Sequence, residues 1–378
     1  MGGFECSCHH HRSGKRLDLI AATQHDTYAH LDYRRLREQG LYTARDGLRW
    51  PLIEKFPGHY DFSSALPQLR AARRAGVEVI WDLCHYGWPD DIDIFKPEFV
   101  QRFARYAQAC ARILLNESEI LPLIVPINEI SFWAWAGGDV AYMNPFVQGR
   151  GDELKFQLIR AAIEAIEAIW SVNPHIQITH VEPVVNVIAA PNRPQDRPVA
   201  KAYYLAQYEV WDILTGRQQP QLGGHKKYLG LMGINYYPHN QWLVHDRAMI
   251  PRGNPFYRPF RDMLAEIYQR YGRPLFISET GAENEDRPGW LRYVSSEVQA
   301  TIQTGVPVEG ICLYPILNHP GWDDDRHCCN GLWDYPSETG AREIYQPLAQ
   351  ELHRQQALRS FSSYSSKQLV QPSGDIYE

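Results

Sequence analysis

Leu275-Phe276-Ile277-Ser278-Glu279-Thr280-Gly281 is a short apolar run that stops on a carboxylate. Residues 274–277 read as a fully buried strand. A glutamate placed where such a strand runs out is costly unless something uses it. A second stretch has the same shape: residues 120–127 are almost wholly apolar and end in Asn128-Glu129. Two buried strands, each delivering one glutamate at its C-terminal end, imply a pair of carboxylates facing one pocket.

Working outward, short apolar segments recur at 1–6 (the weakest), 42–48, 77–84, 120–127, 177–181, 228–237, 274–277 and 308–315. Helical patterns separate them at 29–39, 65–74, 97–115, 152–172, 199–215, 260–271 and 290–303, with Gly40 and Gly76 closing the first two. Eightfold strand–helix alternation is the pattern of a (β/α)8 TIM barrel. The competing doubly wound sheet would want a Gly-rich turn after its first strand, and neither G-x-G-x-x-G nor G-x-x-x-x-G-K-[ST] occurs. The pattern therefore predicts one barrel domain over 1–354. Residues 355–378, polar and Ser-rich without periodicity, read as a flexible C-terminal tail.

The 378 residues are 44% hydrophobic and 22% charged, enough to bury a large core. A net charge of −6 and the lack of any Lys/Arg stripe argue against a nucleic-acid partner. No apolar run approaches the roughly 18 residues of a membrane span. Seven cysteines are an odd number without framework spacing. The first residues lack the basic-then-apolar order of an export signal, so the expected location is cytoplasmic, with reduced thiols.

In a barrel of this kind, function sits at the C-terminal ends of the strands. Those ends carry Arg45 and Asp46, His85, Asn128-Glu129, Glu182, Asn235 and Tyr237, Glu279, and then Tyr314, Asn318-His319 and Trp322, followed by Asp323 to Asp325. Carboxylates, amides, histidines and aromatics in that mixture suit a polyhydroxylated ligand. Strands four and seven lie nearly opposite in a ring of eight. Two glutamates so placed can break a glycosidic bond, one protonating the departing oxygen and the other attacking the anomeric carbon or activating water. Tyr237 and Arg45 are positioned to keep Glu279 ionised, whereas Glu129 needs a drier place to stay protonated.

With these residues in view, the chain resembles the family 1 glycoside hydrolases, the β-glucosidase group of the clan A retaining glycosidases. "PINEISFW" is similar to the family's T-F-N-E-P, with Ile130 in place of the proline, and "MGINYYPHNQW" to its G-I-N-Y-Y strand. "FISETGAENEDR" resembles I-T-E-N-G-x-x-x-x-D-x-R, "DLCHYGWPDD" resembles L-Y-H-W-D-L-P, and "ARDGLRWPLIEKFPG" resembles Y-R-F-S-I-S-W-x-R-I-x-P-x-G. The resemblance implies a retaining hydrolase of a β-linked glycoside, with Glu129 as acid/base and Glu279 as nucleophile. It implies that His85, Asn128, Asn235, Trp322 and Tyr314 contact the sugar, that Arg45 and Tyr237 orient the nucleophile, and that neither a metal nor an organic cofactor is needed. In the family's W-S-x-x-D-N-F-E-W loop, "YPILNHPGW" puts Tyr314 for the first Trp and Gly321 for the sugar-binding Glu. The Y-Q-x-E-G of the first strand is missing, and Glu5 and His10 are candidates for its place.

Two other readings compete. Cys6, Cys8, His9, His10 and His11, with His180 and His239 near strand ends, offer ligands to a metal that would activate water. A carbohydrate-binding barrel without catalysis is the other. Taken one at a time, Trp133, Trp135 and Trp322 read equally as packing, Tyr314 as filler at the top of the barrel, and the aspartate run as a solvated turn.

Overall fold

The computed structural model describes residues 1–368. Eight parallel strands close into a barrel: β1 Gly2–Gly3, β2 Thr43–Gly47, β3 Glu78–Asp82, β4 Leu123–Val125, β5 Gln177–Pro183, β6 Leu231–Asn235, β7 Leu275–Thr280 and β8 Val308–Leu313. Each pairs with its sequence neighbours, and β1 closes the ring between β8 and β2. The fold is the expected (β/α)8 barrel.

Helices cross over between strands, among them His25–Glu38, Leu66–Ala75, Pro97–Glu117, Gly151–Val172, Phe260–Tyr271 and Asp286–Gln303. Their apolar faces bury against the barrel, as in Phe99, Phe103 and Tyr106 of Pro97–Glu117. Leu66–Ala75 ends where Gly76 turns left-handed at φ 63°, a conformation that a Cβ disfavours. The stretch expected as one helix over 199–215 is two, Arg197–Ala206 and Glu209–Leu214. The last helix, Gln346–Gln368, runs across position 355, where the composition places the start of a tail. Residues 369–378 of that tail lie outside the described residues.

β1 is only two glycines long because other groups occupy the space of their side chains. A Cβ on Gly3 would sit 2.2 Å from the Tyr314 ring, and one on Gly2 would sit 2.7 Å from Leu36. Inside the ring, Ile80, Val125, Val181 and Phe276 pack on one another and plug the barrel. Polar side chains are therefore excluded from its lower part and gather at the C-terminal rim. Short ribbons raise that rim, including Asn186–Ile188 with Gln241–Leu243 and His319–Pro320 with His327–Cys328. Among the described residues no helix is long and apolar enough to cross a membrane, and all seven cysteines are free.

Candidate active site

Side chains alternate along a strand, so Phe276 pointing into the barrel would send Glu279 outward. A bulge reverses this. Ile234 pairs with Ile277, but the next residue, Asn235, pairs with Glu279, so two residues of β7 oppose one of β6. Ser278 and Glu279 both reach the pocket side: Ser278 Oγ donates to Asn235 Oδ1 at 2.6 Å, and Glu279 meets Arg45 and Tyr237. Glu129 follows β4 in a left-handed conformation at φ 42°, and Tyr86 follows β3 at φ 68°. Non-glycine residues held there cost about 1–3 kcal/mol each. The two strained residues meet, with Tyr86 Oη donating to Glu129 Oε2 at 2.8 Å.

The two glutamates receive different donors. Arg45 Nη1 donates to Glu279 Oε1 at 2.6 Å and Tyr237 Oη to Oε2 at 2.9 Å. Glu129 has neutral donors only, Asn235 Nδ2 on Oε1 at 2.8 Å and Tyr86 on Oε2. Burial raises both carboxyls. Glu279 goes to about 7, raised first by burial and further by the Glu129 and Glu5 charges, against the pull of Arg45. Glu129 also rises through burial, against its hydrogen bonds to Asn235 and Tyr86. The two carboxyls titrate together, both above the ordinary carboxylate range.

Arg45 organises the floor. Its Nε and Nη2 hold Asp82 at 3.0 and 2.7 Å, and Nη2 also donates to Asn128 Oδ1 at 2.5 Å. Because a guanidinium only donates, Asn128 must turn its Nδ2 toward His85 Nε2, 3.0 Å away, and toward Tyr86 Oη at 2.8 Å. His85 Nε2 is then an acceptor, and the ring carries its proton on Nδ1, donated to Asp82 Oδ2 at 2.9 Å. Burial alone would lower His85, while Asp82, Glu5 and Glu279 raise it. The Asn128 amide nevertheless leaves no acceptor for a second proton, so His85 is neutral in this arrangement.

Of the residues singled out from the sequence, Glu129, Glu279, Arg45, His85, Asn128, Asn235 and Tyr237 thus form one hydrogen-bonded network. Tyr314 is fully buried beneath it, its ring stacked on His85 with centroids 6.2 Å apart and Arg45 5.4 Å above its own centroid. Trp322 lies edge-on to Tyr86 and His9, at 5.9 and 4.7 Å. Trp133 is core: it is fully buried, and its indole donates to Asn144 O. Asp323 to Asp325 are an exposed turn tied to other rim loops by Tyr142 on Asp323 (2.6 Å) and Lys15 on Asp325 (3.1 Å).

The N-terminal Cys/His stretch does not converge on one point. Cys6 lies by His85 and Asp82, His9 by Trp322, His10 on Asp90 and His11 on Ser13. His180 is buried within β5, its Nε2 without a partner while the ring hydrogen-bonds the Tyr228 backbone, and burial lowers it to about 4; His239 is exposed against Tyr237. Cys6, Asp82 and His85 are the one group of potential metal ligands among the described residues. Their atoms are already engaged with each other, and Arg45 covers both oxygens of Asp82. Glu5, rather than His10, occupies the pocket side after β1, 3.9 Å from His85 Nε2.

Sequence reasoning gave no role to Tyr86, Asp82 or Ser278. Tyr86 and Asp82 flank His85 at the end of β3, and that proximity was the available signal. Ser278 depends on the bulge and has no counterpart in composition or spacing.

No family model matches the chain, and no curated protein matches it in sequence. Solved structures share its fold at low identity. A β-glucosidase from Thermotoga maritima in complex with glucoimidazole superposes with a TM-score of 0.74 at 16% identity, over 89% of this chain and 87% of that one. The AHE enzyme from Alicyclobacillus herbarius gives 0.75 at 16% identity, over 89% and 88%. The β-glycosidase of the hyperthermophile Thermosphaera aggregans gives 0.73 at 16%, over 88% and 85%.

Proposed function

We propose that the chain is a retaining glycoside hydrolase, a divergent relative of the family 1 β-glucosidases, acting on a β-linked glycoside. The unequal pairing of the two buried glutamates carries this reading. A fixed cation and a phenol hold Glu279, the form suited to a nucleophile, while only neutral groups hold Glu129. The barrel's likeness to solved β-glycosidases supports the same chemistry.

In the first step a Glu279 oxygen attacks the anomeric carbon as the bond to the leaving oxygen breaks. Glu129 gives its proton to that oxygen. Glu279 is then esterified, and Arg45 loses its anionic partner there but keeps Asp82. Glu129, now ionised, takes a proton from water as the water attacks the same carbon and frees Glu279, so the configuration is retained. Asn235 bridges the halves of the site, holding Glu129 by its amide nitrogen and Ser278 by its oxygen.

The test is hydrolysis of aryl glycosides of several sugars, in both anomers, by the wild type and Glu129→Ala. In the variant, substrates with poor leaving groups should lose far more rate than those with good ones, and azide should restore turnover by yielding a glycosyl azide. Equal loss on both kinds of substrate, without azide rescue, would remove the acid/base role.

A further inference from the structure

The pocket holds more negative charge than the proposed reaction requires. Glu5 follows β1, two strands from β7 and three from β4 around the ring, and so lies nearer Glu279 than Glu129. Its Oε1 accepts from Ser7 N at 2.9 Å and Ser7 Oγ at 2.5 Å, which fixes the side chain. Its Oε2 has no hydrogen-bond partner among the described residues. Glu5 is 8% exposed, comparable with Glu129 (9%), Glu279 (5%) and His85 (5%). No Lys or Arg among the described residues approaches Glu5 within salt-bridge distance, and His85 at 3.9 Å is its only basic neighbour.

The charges around this cavity do not balance. Asp82, Glu279 and Glu5 bring three carboxyl groups beside Glu129, and Arg45 is the one fixed cation among them. Arg45 is spent on Asp82 and Glu279. His85 is held neutral by Asn128, and even a protonated ring would leave one charge over. Glu5 therefore presents one open, solvent-reached oxygen without a cation on it, which a ligand that brings a positive charge can pair with. Neutral hydroxyls can hydrogen-bond to it but leave the charge uncompensated.

We propose that the glycone bound here carries a free amino group, and that Glu5 is the residue that selects it by pairing with its ammonium. This rests on the glycosidase reading and specifies its substrate class. An ammonium at Glu5 also offsets the second anion beside Glu279, so binding the right sugar favours the ionised nucleophile. A charge-assisted hydrogen bond in a dry site discriminates well against a neutral isostere, because the analogue strands the carboxylate.

The test compares 4-nitrophenyl glycosides of glucose, glucosamine, galactosamine, N-acetylglucosamine and glucuronic acid, in the anomer the enzyme cleaves, with wild type and Glu5→Gln. The wild type should prefer a free-amino glycoside over its neutral parent by at least about tenfold in kcat/KM. The N-acetyl and uronic substrates should fall below both. Glu5→Gln, matched in shape, should cut the amino-to-neutral ratio by at least about tenfold. Turnover of the neutral sugar equal to or better than the amino sugar in the wild type would overturn the inference and leave the glycosidase reading standing. An unchanged ratio in Glu5→Gln would do the same. No turnover of any glycoside would overturn both. The wild-type preference stands as a test even if the variant fails to fold.

Discussion

Arg45 and Asp46 are consecutive on β2, and each begins a buried ionic cluster on its own face of the strand. Outside the barrel, Asp46 Oδ2 accepts from His25, Tyr33 and Gln68, and its Oδ1 takes the Gly47 amide. His25 also donates to Asp32, whose two oxygens are filled by Arg342 and Arg35. Every carboxylate oxygen there has a donor, and cations outnumber anions. Inside the barrel the balance is reversed, and one oxygen of Glu5 is open. The two buried histidines show the same contrast. His25 lies between two carboxylates and is raised to about 9, burial opposing and Asp46 and Asp32 prevailing. His85 has a carboxylate on one side and an amide on the other, which holds it neutral. A closed cluster fixes the fold, whereas one left short of cations is arranged for something that arrives later.

Variants of the two clusters should therefore fail differently. Glu279→Gln should lower kcat/KM by about 10⁴-fold or more while leaving thermal stability unchanged or higher. A matched loss of stability would place Glu279 with the structural cluster. Asp32→Ala leaves His25 and Arg342 buried without their shared anion and should cost about 3–5 kcal/mol, read as a lower denaturant midpoint. Wild-type activity is expected in whatever fraction stays folded.

Because the folded pKa of His25 lies above its unfolded value of about 6.5, its contribution is complete below that pH and is lost as pH rises through about 9. At about 1.4 kcal/mol per pKa unit, wild-type stability should fall by up to about 3 kcal/mol across that window. Denaturant midpoints measured across it, and flat, would remove His25 as a buried cation. Tyr237→Phe removes one donor to Glu279, the proposed nucleophile, and should reduce kcat about 10- to 100-fold. It should also move the acid limb of the pH–rate profile upward. In the wild type both limbs should lie above the ordinary carboxylate range, since burial raises both glutamates.

The barrel was legible because its strands and helices alternate in hydrophobic period, and Asn128-Glu129, Asn235 and Tyr237 were legible because each follows an apolar run. The orientation of Glu279 was not, since a period of two points it the wrong way and the β7 bulge leaves no mark in composition. β1 was faint because it is Gly2-Gly3, selected for what packs on it rather than for strand propensity. Helix Gln346–Gln368 buries Leu348, Ala349 and Leu352 in its first turns, but from 355 its sequence is polar and without period, so that part reads as a tail. Trp133 and Tyr314 were ambiguous because an aromatic at a strand end can face the pocket or its underside, and the sequence does not distinguish them.

The proposed covalent step is the most direct point of attack. Glu129→Ala, mixed with a dinitrophenyl glycoside of the sugar the wild type prefers, should accumulate a glycosyl ester that mass spectrometry finds on the peptide containing Glu279. Release of product with inverted anomeric configuration, or an adduct on any other carboxylate, would contradict the assignment of Glu279 as the nucleophile.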